Sequence, residues 1–140
     1  MGVNETAVDT TRGTTRVAEW VLRGVVALAL LGAAWVHFDL WLGGYRQIAI
    51  IGPLFLLNVV AGALIAAGVV LWRHWLPALL AVGFGAATLA AFLISVTVGL
   101  FGTANAFGGF HAALEISAVV TEIVCVLGGA VLVRSGLRRA

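Results

Sequence analysis

The chain has 140 residues, of which 62% are hydrophobic and only 10% charged. Ordinary soluble domains carry about 25% charged residues, and a soluble fold of this size could not hide so much apolar surface. The composition excludes a soluble enzyme, a nucleic-acid-binding domain and a disordered chain, and it predicts an all-α integral membrane protein. The net charge of +2 comes from eight basic and six acidic residues. Charges this sparse mark the cytoplasmic side and imply no nucleic-acid partner.

In chain order, residues 1–16 are polar and lack apolar periodicity (Asn4, Glu5, Asp9, Thr10, Thr11, Thr14, Thr15). They are expected to form a flexible cytoplasmic tail. Four apolar runs follow, at approximately 17–42, 48–72, 76–101 and 107–133. Together, residues 17–134 are expected to form a four-helix transmembrane domain, with a short basic cytoplasmic tail over 135–140. A bilayer core of about 30 Å needs about 20 helical residues, and every run is long enough. A membrane barrel would alternate polar and apolar residues in short segments, whereas these runs are continuous. A signal peptide is the rival for the first run. Its apolar stretch outlasts the roughly 7–15 residues of such a segment.

In the first run, Glu19 and Arg23 are four residues apart and are expected to form an ordinary pair on the helix surface. His37 falls about 7 Å below the outer end at Leu42. Asp39 points about 160° away from it and is expected to be an interfacial group near Arg46. Gly43-Gly44-Tyr45-Arg46 should turn the chain. Tyr45 and Arg46 are candidates for an anion or lipid contact at the outer mouth, because the guanidinium fork matches phosphate. A snorkelling anchor is the plainer alternative.

Pro53 lies early in the second run, where it should end the first turn or introduce a mild kink. Asn58 follows near mid-membrane, and Gly62 and Ala66 make a small-residue step suited to close packing. Arg73 to Pro77 separates the second and third runs, with His74 as an interfacial loop residue. Thr88, Ser95 and Gly99, with Ala81 and Ala91, give the third run a small, polar face. A glycine-rich loop at 102–109 precedes the fourth run. There, Glu115 lies about 40° and Glu122 about 20° from His111 around the helix, so the three share one stripe about 16 Å long. Such a stripe must face the bundle interior or a partner protein. Cys125 is the single cysteine and is expected to be a small buried hydrophobe. Gly128-Gly129 thins the same helix.

Short connections make neighbouring helices antiparallel, so the expected architecture is an up-down-up-down four-transmembrane-helix bundle. With a cytoplasmic N-terminus, Arg12, Arg16, Arg23, Arg73, Arg134, Arg138 and Arg139 lie inside and only Arg46 outside. That asymmetry predicts cytoplasmic N- and C-termini. Trp20, Trp41, Trp72 and Trp75 fall near predicted helix ends, where the indole ring finds both lipid and a hydrogen-bond partner.

If the polar faces converge, His37, Ser95, His111 and Glu115 form an outer layer capped by Arg46, and Asn58, Thr88 and Glu122 a middle one. Three readings follow. The layers are structural, with protonated or hydrogen-bonded carboxyls holding the bundle together. Alternatively, Glu115 and Glu122 form a stepped proton or cation path. In the third, His37 and His111, with Glu115, ligate a transition metal, or the two histidines a haem. No Walker-type loop, HExxH, CxxC or GxSxG is present, and no cofactor is expected.

The segments Trp35–Trp41, Gly44–Ile48, Ile51–Asn58 and Ser95–Gly102 resemble small four-span membrane proteins of actinobacteria. The likeness covers most of the membrane part. It implies an actinobacterial plasma-membrane protein and transfers no catalytic residue. Many such chains have His-Leu-Asp-Leu-Trp and Ile-Pro-Thr-Ile-Gly, from which Phe38 and Ala49 depart. The functional expectation is a multi-pass, non-enzymatic accessory or assembly subunit. Its partners would be the lipid bilayer and a membrane protein or a second copy of itself. A proton- or cation-coupled transporter and a haem- or metal-binding redox subunit are the alternatives.

Overall fold

The computed structural model describes the backbone of residues 3–99 and 112–139 and the side chains of 15–99 and 113–139. Among the described residues all regular structure is helical: α1 (Val3–Leu42), a 3₁₀ turn (Tyr45–Gln47), α2 (Ile51–Leu71), α3 (Trp75–Thr97) and α4 (Ala112–Leu137). All four α-helices contain a stretch long and apolar enough to cross a membrane. In lipid no water satisfies backbone groups, so a continuous apolar run folds as a helix with its bonds internal.

The helix ends differ from the sequence expectation for local reasons. The stretch expected as a flexible tail over 1–16 is helical backbone from Val3 onward, ahead of the membrane-length span Thr15–Leu42. No proline and only Gly13 interrupt that stretch, so nothing in it stops α1 from extending outward. α2 starts at Ile51, after the expected 48, because the 3₁₀ turn intervenes, entered through Gly44 at φ +135°. Pro53 sits in the first turn of α2, where its missing N–H leaves no helical bond unmade. α3 ends at Thr97, before the expected 101. Gly99 adopts φ +81° there, and its N–H joins that of Val98 on the Ile94 carbonyl. α4 runs to Leu137, with Arg134 in its last turn favouring the carbonyl end of the helix. The glycine-rich loop at 102–109 lies outside the described residues.

α1 packs on α2 and α4, and α3 packs on α4 and α2. Arg23 meets Val69, Gly62 approaches Leu30 and Ala34, and His37 meets Asn58. On α3 and α4, Gly136 lies against Trp75, Gly129 against Ala78 and Val82, and Gly85 against Glu122 and Cys125. The helices approach so closely that a Cβ on Gly85 would stand 2.6 Å from the Glu122 carbonyl oxygen. A Cβ on Gly129 would stand 2.9 Å from that of Ala78. The small-residue steps at Gly62 and at Gly128-Gly129 are thus contact points between helices.

The core fills one half of the bundle. Val26, Leu30, Val69, Ala78, Ala81, Cys125 and Leu132 are buried in it. Large apolar side chains such as Leu28, Trp35, Leu64, Leu71 and Leu127 point outward, as they do on helices solvated by lipid.

Candidate functional site: a cavity with a polar floor

Beyond the packed half, the four helices separate around a cavity of about 400 Å³. Most of its wall is apolar, with Leu40, Ile51, Phe55, Phe84 and Phe92 among the lining side chains. His37, Asn58, Thr88, Ser95, Glu115 and Glu122 line it as well. Six of the seven residues expected to form the intramembrane polar cluster are thus brought to one space, from all four helices. His111, the seventh, lies outside the described residues.

The polar groups are only partly satisfied. The His37 ring donates from Nδ1 to the Ala33 carbonyl at 2.8 Å. A carbonyl only accepts, so Nδ1 carries a proton and Nε2 of the neutral ring is an acceptor. The Asn58 side-chain amide donates to that Nε2 at 3.3 Å. The ring also meets Phe55 edge-on, with centroids 5.2 Å apart. This use of Asn58 leaves its Oδ1 buried without a partner.

Glu122 is 2% exposed, and its Oε2 is likewise buried without a partner. Thr88 stands beside its carboxyl. The one proton of the Thr88 hydroxyl is donated within its own helix, to the Phe84 carbonyl at 2.8 Å with the Gly85 carbonyl at 3.2 Å. A buried polar atom without a partner costs about 1–3 kcal/mol. Asn58 and Glu122 both line the cavity, and each carries one unsatisfied oxygen buried at its wall.

At the mouth, the two residues expected to act together separate. Tyr45 stacks on Phe55, centroids 5.1 Å apart, and lines the cavity. Arg46 is exposed and is not part of the lining, so it does not cap the outer layer. Asp39 is also exposed, and among the described residues no ion pair joins it to Arg46. An exposed pair gains little in a screened environment and costs the entropy of holding a long arginine side chain in one geometry.

The metal expectation fares differently at each residue. Among the described residues no group of three or more His, Cys, Asp and Glu side chains is arranged to hold a metal ion. A ligand bond at His37 Nε2 would require displacing the Asn58 amide.

The opposite end of the bundle carries a cluster that the sequence reading misjudged. Glu19 and Arg23 are not a surface pair, for their side chains are only 8% and 3% exposed. Arg23 donates to Glu19 at 3.2 Å and to the carbonyls of Val69 at 2.7 Å and Trp72 at 3.4 Å. These carbonyls belong to the end of α2, whose last turn has no basic residue of its own. The last four carbonyls of a helix lack internal donors, and Arg23 supplies one from α1. Glu19 also pairs with Arg139, and with Arg73 at 3.8 Å. The usable signal was a helix ending in apolar residues with no cationic cap. His74, expected as a loop residue, is the N-cap of α3, accepting from the Leu76 N–H at 3.2 Å between the rings of Trp72 and Trp75.

Compared with protein-family models, with curated proteins and with solved structures, the chain matches none.

Proposed function

We propose that the chain is a non-enzymatic accessory protein of the plasma membrane. In this reading its bundle holds a small, mostly apolar molecule bearing a hydrogen-bond donor. The observation that carries the reading is that two residues lining a largely apolar cavity, Asn58 and Glu122, each hold a buried oxygen without a partner, which a side-chain rotation would turn toward a ligand. Concave, apolar sites with a few convergent polar groups are the usual form of small-molecule sites. A hydroxyl or amine on the ligand would satisfy oxygens that the protein leaves open. The outward apolar side chains leave lipid or another membrane protein as the neighbours of the bundle.

The proposed topology is up-down-up-down with both termini cytoplasmic. Along α1 and α2, partners run in opposite numerical order, Arg23 with Val69 and His37 with Asn58. Arg23, Arg73 and Arg139 gather at one end around Glu19, which accords with the positive-inside rule.

Purification of the full chain in polymer nanodiscs, followed by organic extraction and mass spectrometry, tests the reading. A stoichiometric lipophilic compound that is lost from Glu122→Leu is the expected result, together with a reproducible membrane-protein partner. Bulk lipid alone, identical in both preparations, would overturn ligand binding. A second reading, proton- or cation-coupled transport, draws on Glu115 and Glu122 lining the same cavity. It would replace the first if liposomes holding the protein dissipate a proton gradient and Glu115→Gln abolishes the leak.

A further inference from the structure

At the end remote from the cavity, Thr15, Arg16, Arg73 and Arg139 line a pocket of about 450 Å³. Three separate parts of the chain supply its cations: α1, the connection between α2 and α3, and the segment after α4. Arg73 is held over the ring of Trp20 at 5.4 Å from the centroid, a contact that steadies its guanidinium. Glu19 pairs with Arg139, Arg73 and Arg23 at once. Among the described residues, a single carboxylate faces these three together with Arg16, which leaves a positive excess. Arg73 and Arg139 remain about half exposed, so their guanidinium groups are reachable from outside.

We propose that this pocket binds a phosphate group, held by Arg16, Arg73 and Arg139. Guanidinium forks match phosphate oxygens bidentately, and basic pockets between membrane helices at a bilayer surface take anionic headgroups. Glu19 fixes Arg73 and Arg139 from behind, so both are positioned before a ligand arrives. The shared chemistry admits an anionic phospholipid or a soluble phosphate, and the two are separable by experiment.

The test uses the full chain in nanodiscs containing equal phosphatidylglycerol and phosphatidylcholine, with retained lipid counted by native mass spectrometry after transfer to detergent. Preferential retention of phosphatidylglycerol is expected. Arg16→Gln, which removes no partner of Glu19, should lower that retention about fivefold. Arg73→Lys should lower it less, since the charge stays while the fork is lost. Arg134→Gln, exposed in the last turn of α4 but outside the pocket lining, should lower it far less than Arg16→Gln. Inorganic phosphate at millimolar concentration that releases the bound lipid would assign the site to a soluble phosphate source. Failure to release it would assign the site to the headgroup. Equal retention of the two lipids, unaltered by Arg16→Gln in a protein of undiminished thermal stability, would overturn the proposal.

Discussion

Glu19 and Glu122 are both buried carboxyls on membrane helices, and the bundle treats them in opposite ways. Glu19 has three arginines around it and sits at the end where Arg23 also caps the carbonyls of α2. Glu122 has Thr88 beside it and one oxygen without a partner, at the edge of a cavity. The regions around them differ in the same sense. The half containing Val26, Leu30, Val69 and Leu132 is filled, and glycines bring its helices into contact. The other half is held apart around its hollow. A structural charge is expected to be paired, since an unpaired one destabilises the fold without return. Glu122 has no cation beside it among the described residues, and under the proposed function its unpaired oxygen serves a ligand where Glu19 serves the fold.

The comparison can be broken at its paired side first. Arg23→Met removes the bonds to Glu19, Val69 and Trp72 while keeping much of the side-chain volume. Breaking a buried ion pair costs about 3–5 kcal/mol. Arg73 and Arg139 still accompany Glu19 here, so a loss of about 3 kcal/mol is expected, read by steric trapping in bicelles. A loss below about 1 kcal/mol would show that the cap on α2 contributes little.

The filled half is tested by Gly85→Ala. The added methyl would meet the Glu122 carbonyl oxygen at 2.6 Å and the Cys125 Cβ at 3.0 Å. Neither can swing away as a flexible side-chain end would, so overpacking of about 1–3 kcal/mol is expected. Gly83→Ala is the control, because a Cβ there meets nothing within 4 Å. Equal melting temperatures for the two variants would contradict the close approach of α3 and α4.

For the open side, the expected effect on stability is smaller and of the other sign. Glu122→Leu is the variant that reads this. Thr88 keeps the Phe84 and Gly85 carbonyls as acceptors, so removing the carboxyl orphans nothing and deletes an unpartnered oxygen. Stability within about 1 kcal/mol of the parent, or slightly above it, is expected. A loss of 2 kcal/mol or more in bicelles would place Glu122 among the structural groups with Glu19.

Much of the site was legible because helical periodicity is strict. Placing Glu115 and Glu122 on one stripe, and Asn58 and Thr88 near mid-membrane, needs only 100° and 1.5 Å per residue. All four residues line the cavity. The Glu19 cluster was not legible by the same rule. Its spacing of four is what an ordinary surface pair shows, and its meaning depends on Val69 and Trp72, 46 and 49 residues beyond Arg23, and on Arg139 near the other end of the chain. Long-range partners leave no periodic trace. The separation of Tyr45 from Arg46 was hidden for a related reason, since a 3₁₀ turn points adjacent side chains apart in a way that apolar runs do not encode.

The finest test of the contrast lies within the site, at the His37–Asn58 bond. The bond is long, at 3.3 Å, and both partners are neutral. Interhelical hydrogen bonds between such groups in membranes contribute about 0.6 kcal/mol on average, because unfolded helices also find partners in the bilayer. A double-mutant cycle with His37→Leu and Asn58→Leu in bicelles should therefore give a coupling near that value, the smallest effect of the series. A coupling above about 2 kcal/mol would mean that Asn58 is committed to holding α1 against α2. Its Oδ1 would then be left open by structural necessity, and the proposed ligand would keep only the Glu122 oxygen as its acceptor.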